Sequence, residues 1–273
     1  MANASLVDPG AAQAAVAAAG DRAAALLRSV THPSAPCVGA WNLTDVAAHL
    51  THGVDAVASM VQGAGGLLGD VWALAGLTTT LLEGEEERDL RRLADRLETS
   101  VANLVSTVRA IRDDETRKWI VEGVTFNLSS LVCHALNELC VHGRDIALAD
   151  GQQWKIPRDQ AGLVVNGFLV PALGGLGRQM VNQEKARGRR ITYDIRVRGG
   201  GQAQWRFYDG DMSVTPGPPT GKVDCHLSVD PEAFLLVAWD RVSQNGPIAK
   251  GQLFAWGRKP WLGLKLRSLV RNP

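Results

Sequence analysis

Phe126-Asn-Leu-Ser-Ser-Leu-Val-Cys-His134-Ala-Leu-Asn-Glu138-Leu-Cys-Val-His142-Gly-Arg-Asp145-Ile-Ala-Leu-Ala149 places apolar residues at three- and four-residue steps and stops at Asp150-Gly151, the pattern of an amphipathic helix with a glycine terminator. His134, Glu138 and His142 are spaced four apart, so their side chains form one stripe along that helix. Upstream, Trp41-Asn-Leu-Thr-Asp45 opens another helix. Asn42 can accept from free amides there, and Asp45, three residues on, completes a capping-box-like pair at the positive helix end. That helix is expected to reach about Gln62, and it carries His49 and His52, three apart.

Two further amphipathic segments flank these. The Ala-rich stretch from Pro9 to about Ser29, stopped by His32-Pro33, reads as a first helix, and Pro33 to Gly39 as a loop. From about Glu86 to Arg112, Leu90, Leu93, Leu97, Val101, Leu104 and Val108 mark one apolar face, followed by a charged turn at Asp113-Asp114. Gly63 to Gly69 reads as a mobile connection, and Leu77 to Leu82 is ambiguous. A helical bundle follows, in which ligands from facing helices can converge on a metal. Two imidazoles and a carboxylate would leave a fourth position open, as catalytic zinc sites do. Spacing alone cannot choose among the five candidate groups, because such His–Glu pairs also occur as ordinary ion pairs.

A further apolar helix spans roughly Arg158 to Leu173, bending or stopping near Pro171. The polar stretch 182–190 reads as a linker, so the domains are expected at 1–185 and 190–273. Beyond it the period changes to two: Ile191 to Arg198 alternates, Gly199-Gly-Gly turns the chain into Gln204 to Tyr208, and Asp209-Gly210 turns it again. Asp230-Pro231-Glu232 is a strong helix start. A short strand after Asn245-Gly246 and a last helix from Lys259 to Leu269 complete a small α+β domain. The fold class is therefore α+β with two domains, the first a four-helix bundle.

At 273 residues each domain can bury its own core. With 29 basic and 28 acidic side chains the net charge is +1, which offers no electrostatic footprint for nucleic acid or an anionic membrane. No membrane span is expected, and the Met1-Ala-Asn-Ala start lacks the form of a secretory signal. Cys37, Cys133, Cys140 and Cys225 form no C-x-x-C pair. A reduced, cytoplasmic protein, monomer or homodimer, is the expectation.

Trp41-Asn-Leu-Thr-Asp-Val-Ala-Ala-His49-Leu, followed by Asn137-Glu138-Leu-Cys-Val-His142-Gly-Arg-Asp145-Ile-Ala, resembles the paired motifs of the mycothiol-dependent maleylpyruvate isomerase family, a branch of the DinB-like metal-binding four-helix bundles. The resemblance implies an up-down bundle with His49, Glu138 and His142 as ligands of a divalent metal, zinc by ligand preference. It also implies mycothiol, a small thiol of actinobacteria, as cofactor or co-substrate. Asp230-Pro-Glu-Ala-Phe-Leu-Leu-Val-Ala-Trp239-Asp-Arg241 resembles a segment of the sterol-carrier-like domain appended in that family. Arg241 matches an arginine drawn toward the active site there, although Asp240 stands where glycine is common.

His52 and His134 rival the implied ligands, and their positions also suit a general base or supporting partners, so with Arg241 they are the candidate catalytic residues. Asp145 can orient His142. The implied activity is isomerisation or S-transfer on a small electrophile. Two alternatives are an apolar-ligand (lipid) binding protein with a structural or vestigial metal, motivated also by Trp205, Trp239, Trp256 and Trp261, and a metal-assisted hydrolase.

Overall fold

Asp8, Asn42, Asp89 and Asn127 each accept a hydrogen bond from a free amide in a first helical turn, and they set where the four long helices of the chain begin. The structure, a computed structural model, describes residues 6–111 and 115–272. The Met1-Ala-Asn-Ala start, the expected helix end at Arg112 and the Asp113-Asp114 turn lie outside these. The chain divides into two compact units, Met1–Ile156 and Pro157–Pro273.

The first unit runs α1 (Pro9–Ser29), β1 (Pro36–Val38), β2 (Trp41–Asn42), α2 (Leu43–Val61), α3 (Leu74–Glu83), α4 (Leu90–Ala110), β3 (Thr116–Lys118), β4 (Thr125–Asn127) and α5 (Leu128–Ala149). α1 and α2 each pack on both α4 and α5, which makes a four-helix bundle. The expected face of α4 is buried at Leu93, Leu97, Val101, Leu104 and Val108, while its helix starts four residues later than its periodicity suggests, because Asp89 caps it. The Asn42–Asp45 capping box is formed in both directions, at 3.0 Å each way. Replacing Asn42 with alanine should lower the unit's stability by about 1 kcal/mol, read as a lower urea midpoint at unchanged slope.

Two expectations need correction here, and one stretch left open finds its place. Part of the supposed loop before Trp41 pairs with Trp41-Asn42 as a short hairpin. The ambiguous Leu77–Leu82 stretch lies in α3. The glycine segment expected to be mobile is tied down: the Gly66 amide donates to the Trp119 carbonyl at 2.6 Å, Leu68 to Ile120 at 3.0 Å, and Glu122 returns a bond to Leu68 at 2.8 Å. A Cβ on Gly65 would lie 2.1 Å from the Lys118 carbonyl oxygen, so glycine is there for close backbone approach rather than for flexibility.

The second unit begins with α6 (Arg158–Val164), a wider π turn (Val165–Leu169) and α7 (Val170–Leu176), followed by α8 (Gln183–Ala186), β5 (Arg190–Val197), β6 (Gln202–Tyr208), β7 (Asp211–Pro216), β8 (Cys225–Val229), α9 (Pro231–Ala238), α10 (Asn245–Ala249), β9 (Leu253–Trp256) and α11 (Leu266–Leu269). The sheet order is β7-β6-β5-β8-β9, with β5 and β8 parallel and the other pairs antiparallel. Pro171 has no N–H for the Gly167 carbonyl, and its ring would press on that carbonyl. The helix widens in the turn before it instead of stopping.

The division at Ile156/Pro157 falls before the stretch 182–190 where a linker was expected. α7 packs on β7 and α6 on α9, so the apolar helical run belongs with the sheet. By length and composition alone the run Arg158–Met180 could cross a membrane, and 61% of its most apolar window is buried within the protein, as in a core helix. Asn245-Gly246 begins α10 rather than leading straight to a strand. The expected last helix is split into a 3-10 turn from Pro260 to Lys265 and α11.

Candidate metal centre

α2 and α5 pack against each other and bring His49, Glu138 and His142 together, with one ligand atom from each within 4.8 Å of the others. Glu138 Oε2 is 3.5 Å from His142 Nε2 and 3.7 Å from His49 Nε2. Tetrahedral coordination with bonds of about 2.0–2.1 Å would set ligand atoms roughly 3.4 Å apart; the two Glu138 pairs already approach that spacing, and the two imidazoles, within 4.8 Å, would draw together around a small divalent cation. The His49 and His142 rings meet edge to face, with centroids 4.8 Å apart. Trp41 lies over His49 with centroids 5.2 Å apart and shields it at the start of the bundle.

The electrostatics suit ligation. Burial pushes the His49 imidazole below its ordinary value, which keeps it neutral with a lone pair to give. Burial alone would raise Glu138, but the neighbouring His49, His142 and His134 rings outweigh that and hold the carboxyl well below the usual range. Asp145 is buried, and its carboxylate accepts from His142 Nδ1 at 3.2 Å, leaving Nε2 to face Glu138. Metal-bound histidines are commonly oriented in this way. A Cβ on Gly53 would press on Glu138 Cγ at 3.3 Å, so the missing side chain makes room for the carboxylate arm.

The rivals sit differently. His134 Nε2 faces the other oxygen, Glu138 Oε1, at 3.6 Å, and its Nδ1 accepts from the Trp119 indole at 3.3 Å. Burial pushes this imidazole down as well. His52 turns to Glu85, with Nε2 2.7 Å from Oε2. Glu85 also takes Arg96 at 2.8 Å, and Arg96 continues to Asp55 at 2.9 Å, where Ser100 adds a further hydrogen bond. Arg241 belongs to the second unit and donates to the Trp239 carbonyl at 2.9 Å. It follows Asp240, whose φ of 56° ends α9 in the left-handed region, where glycine would be the unstrained choice.

The Glu87 amide holds the Glu85 carboxyl down at about 2, with the His52 and Arg96 hydrogen bonds outweighing burial. A depressed carboxyl contributes stability that is present above its unfolded value and lost as pH falls through the folded one. The stability difference between the native protein and Glu85→Gln should therefore be full at neutral pH and shrink between about pH 4.5 and 2, as measured by urea unfolding at each pH.

Trp119, Gly53, Glu85 and Arg96 were not singled out from sequence. Trp119 lies outside any periodic segment, and Glu85 sits in an acidic run whose register is set only by the contacts of α2 and α4.

Residues 12–147 match the family model described as the mycothiol maleylpyruvate isomerase N-terminal domain. In fold the chain is similar to a crystal structure of the mycothiol-dependent maleylpyruvate isomerase, with a TM-score of 0.54 and 13% identity over 91% of this chain and 93% of that one. A histidine-to-alanine variant of that enzyme aligns with a TM-score of 0.51, 13% identity and the same coverage. No curated protein matches the sequence.

Proposed function

Residues 12–147 belong to the mycothiol maleylpyruvate isomerase N-terminal domain family, and from that premise we propose that the chain is a metal-dependent enzyme using mycothiol for isomerisation or S-transfer on a small electrophile. The observation that carries this reading is the convergence of His49, Glu138 and His142 from two helices, with their ligand atoms within 4.8 Å. Two imidazoles and one carboxylate suit zinc and leave room for an exogenous ligand. A bound divalent cation supplies thiolate stabilisation near neutral pH.

The chain's own residues account for the rest. Asp145 orients His142, and Trp41 shields His49. Burial, aided by Cys140, pushes the Cys133 thiol up to about 12, and burial pushes Cys225 up to about 11. These thiols are poor nucleophiles, so an external thiol is the reasonable source. A thiolate that adds to an activated double bond, permits rotation and leaves would isomerise it; displacement of a leaving group would transfer the sulfur.

The test is metal analysis of purified protein, followed by mycothiol with cis-alkene diacids and with alkylating electrophiles. Thiol-dependent turnover that disappears on chelation supports the reading. Turnover without thiol would favour metal-assisted hydrolysis, and a protein that takes up no metal when metal is supplied in excess would end both.

A second reading, ligand carriage by the second unit, is favoured by one observation. That unit holds a cavity of about 350 Å³ lined mainly by apolar side chains, among them Leu169, Trp205, Phe234, Trp239 and Trp261, within the range of small-molecule sites. A copurifying apolar molecule in native mass spectra would support carriage, and consistently empty protein would count against it.

A further inference from the structure

The two oxygens of Glu138 have different neighbours. Oε2 faces His49 and His142. Oε1 accepts from Asn137 Nδ2 at 3.1 Å and faces His134 Nε2 at 3.6 Å. On the far side of the His134 ring, Trp119 Nε1 lies 3.3 Å from Nδ1. An indole N–H can only donate, so Nδ1 must present its lone pair. On a neutral ring the proton then resides on Nε2, where it blocks the lone pair that coordination through that atom would require. Moving the proton to Nδ1 would set two N–H groups against each other in a buried place, an arrangement that folded proteins avoid.

Trp119 is itself held firmly. Its amide donates to the Val124 carbonyl at 2.8 Å, its carbonyl accepts from Gly66 at 2.6 Å, and its ring packs on Phe126 with centroids 5.3 Å apart. The close approach at Gly65 thus fixes the donor that fixes the histidine.

We propose that Trp119 decides which imidazoles a metal can take: by holding His134 as the Nε2–H tautomer it keeps this ring out of the coordination sphere and turns it, beside Asn137, into a donor for Glu138 Oε1. Oε2 is then the single ligating oxygen, and the open metal position stays free for an exogenous ligand. This rests on the reading of His49, Glu138 and His142 as a metal centre. Trp119 and His134 act as positioning residues, since neither need touch a substrate.

Two measurements on the full chain test it. Long-range proton–nitrogen NMR of metal-free protein reads the tautomer directly and needs neither metal nor activity. His134 should show the Nε2–H pattern, and a dominant Nδ1–H pattern would overturn the inference. The second uses Co²⁺ as a spectroscopic probe in the native chain, in Trp119→Phe, which retains an aromatic ring, and in Trp119→Phe/His134→Ala. The visible ligand-field bands should shift in the single variant as His134 joins the metal, and should return to the native pattern in the double variant. Unchanged bands in Trp119→Phe, or a shift that persists in the double variant, would overturn the idea. Failure of the native chain to bind Co²⁺ at all would instead strike the metal centre, taking the coordination role of Trp119 with it, while the NMR result would still report the tautomer.

Discussion

Glu138→Ala should reduce metal affinity by more than the roughly 10–100-fold that loss of a supporting partner costs a metal site, while far-ultraviolet circular dichroism stays that of the native chain. Glu138 supplies the only carboxylate of the three-residue cluster, and its Oε2 is the atom that both His49 and His142 approach. Its removal leaves two imidazoles, a poor cage for a divalent cation. The helix should survive because alanine is the best helix former and because α5 buries a long apolar face independent of this position. The imidazoles around Glu138 outweigh its burial, so the metal-free variant should itself melt somewhat lower than the metal-free native protein. What should vanish is the rise in melting temperature on adding metal, which for a native site at a hundred times its dissociation constant reflects about 2.7 kcal/mol of added stability. Titration calorimetry with zinc and melting with and without metal check this together. A variant that keeps native affinity would remove Glu138 from the ligand set.

Leu97→Ala should destabilise the first unit by about 2–5 kcal/mol, the usual range for truncating a buried leucine to alanine. Leu97 is fully buried on α4, and α4 packs on both α1 and α2. The loss combines missing apolar burial with a cavity that straight, close-packed helices cannot easily collapse. The neighbouring Arg96 links Glu85 to Asp55 on α2. A loosened α4 should therefore also disturb the segment that faces His52. Urea unfolding measures the stability change, and a loss under 1 kcal/mol would mean that this helix face is less tightly packed than its burial indicates.

Much of the bundle was legible because its signals are local. The 3.6-residue period of α4, the Asn42–Asp45 cap and the Asp230-Pro231 start each depend on residues within one or two turns; both caps recur at the expected place, and the α4 face recurs from Leu93 onward. The elements missed were those with little local signal. β1 and β2, β3 and β4 are two or three residues long and exist by pairing with each other. At Pro171 the sequence leaves a bend or a stop open, and packing with a π turn carries the helix through.

By itself the sequence determined that the chain is α+β, that two helices bear histidines and a carboxylate at one-turn spacing, and which family its motifs resemble, because helical periodicity and capping are written in near neighbours. Only the tertiary structure decided that His49 meets Glu138 and His142, that His52 is turned to Glu85 and that Trp119 sits behind His134. Those relations join residues far apart in the chain. Their distances are set by how helices pack and by a backbone approach at Gly65, neither of which any single segment encodes.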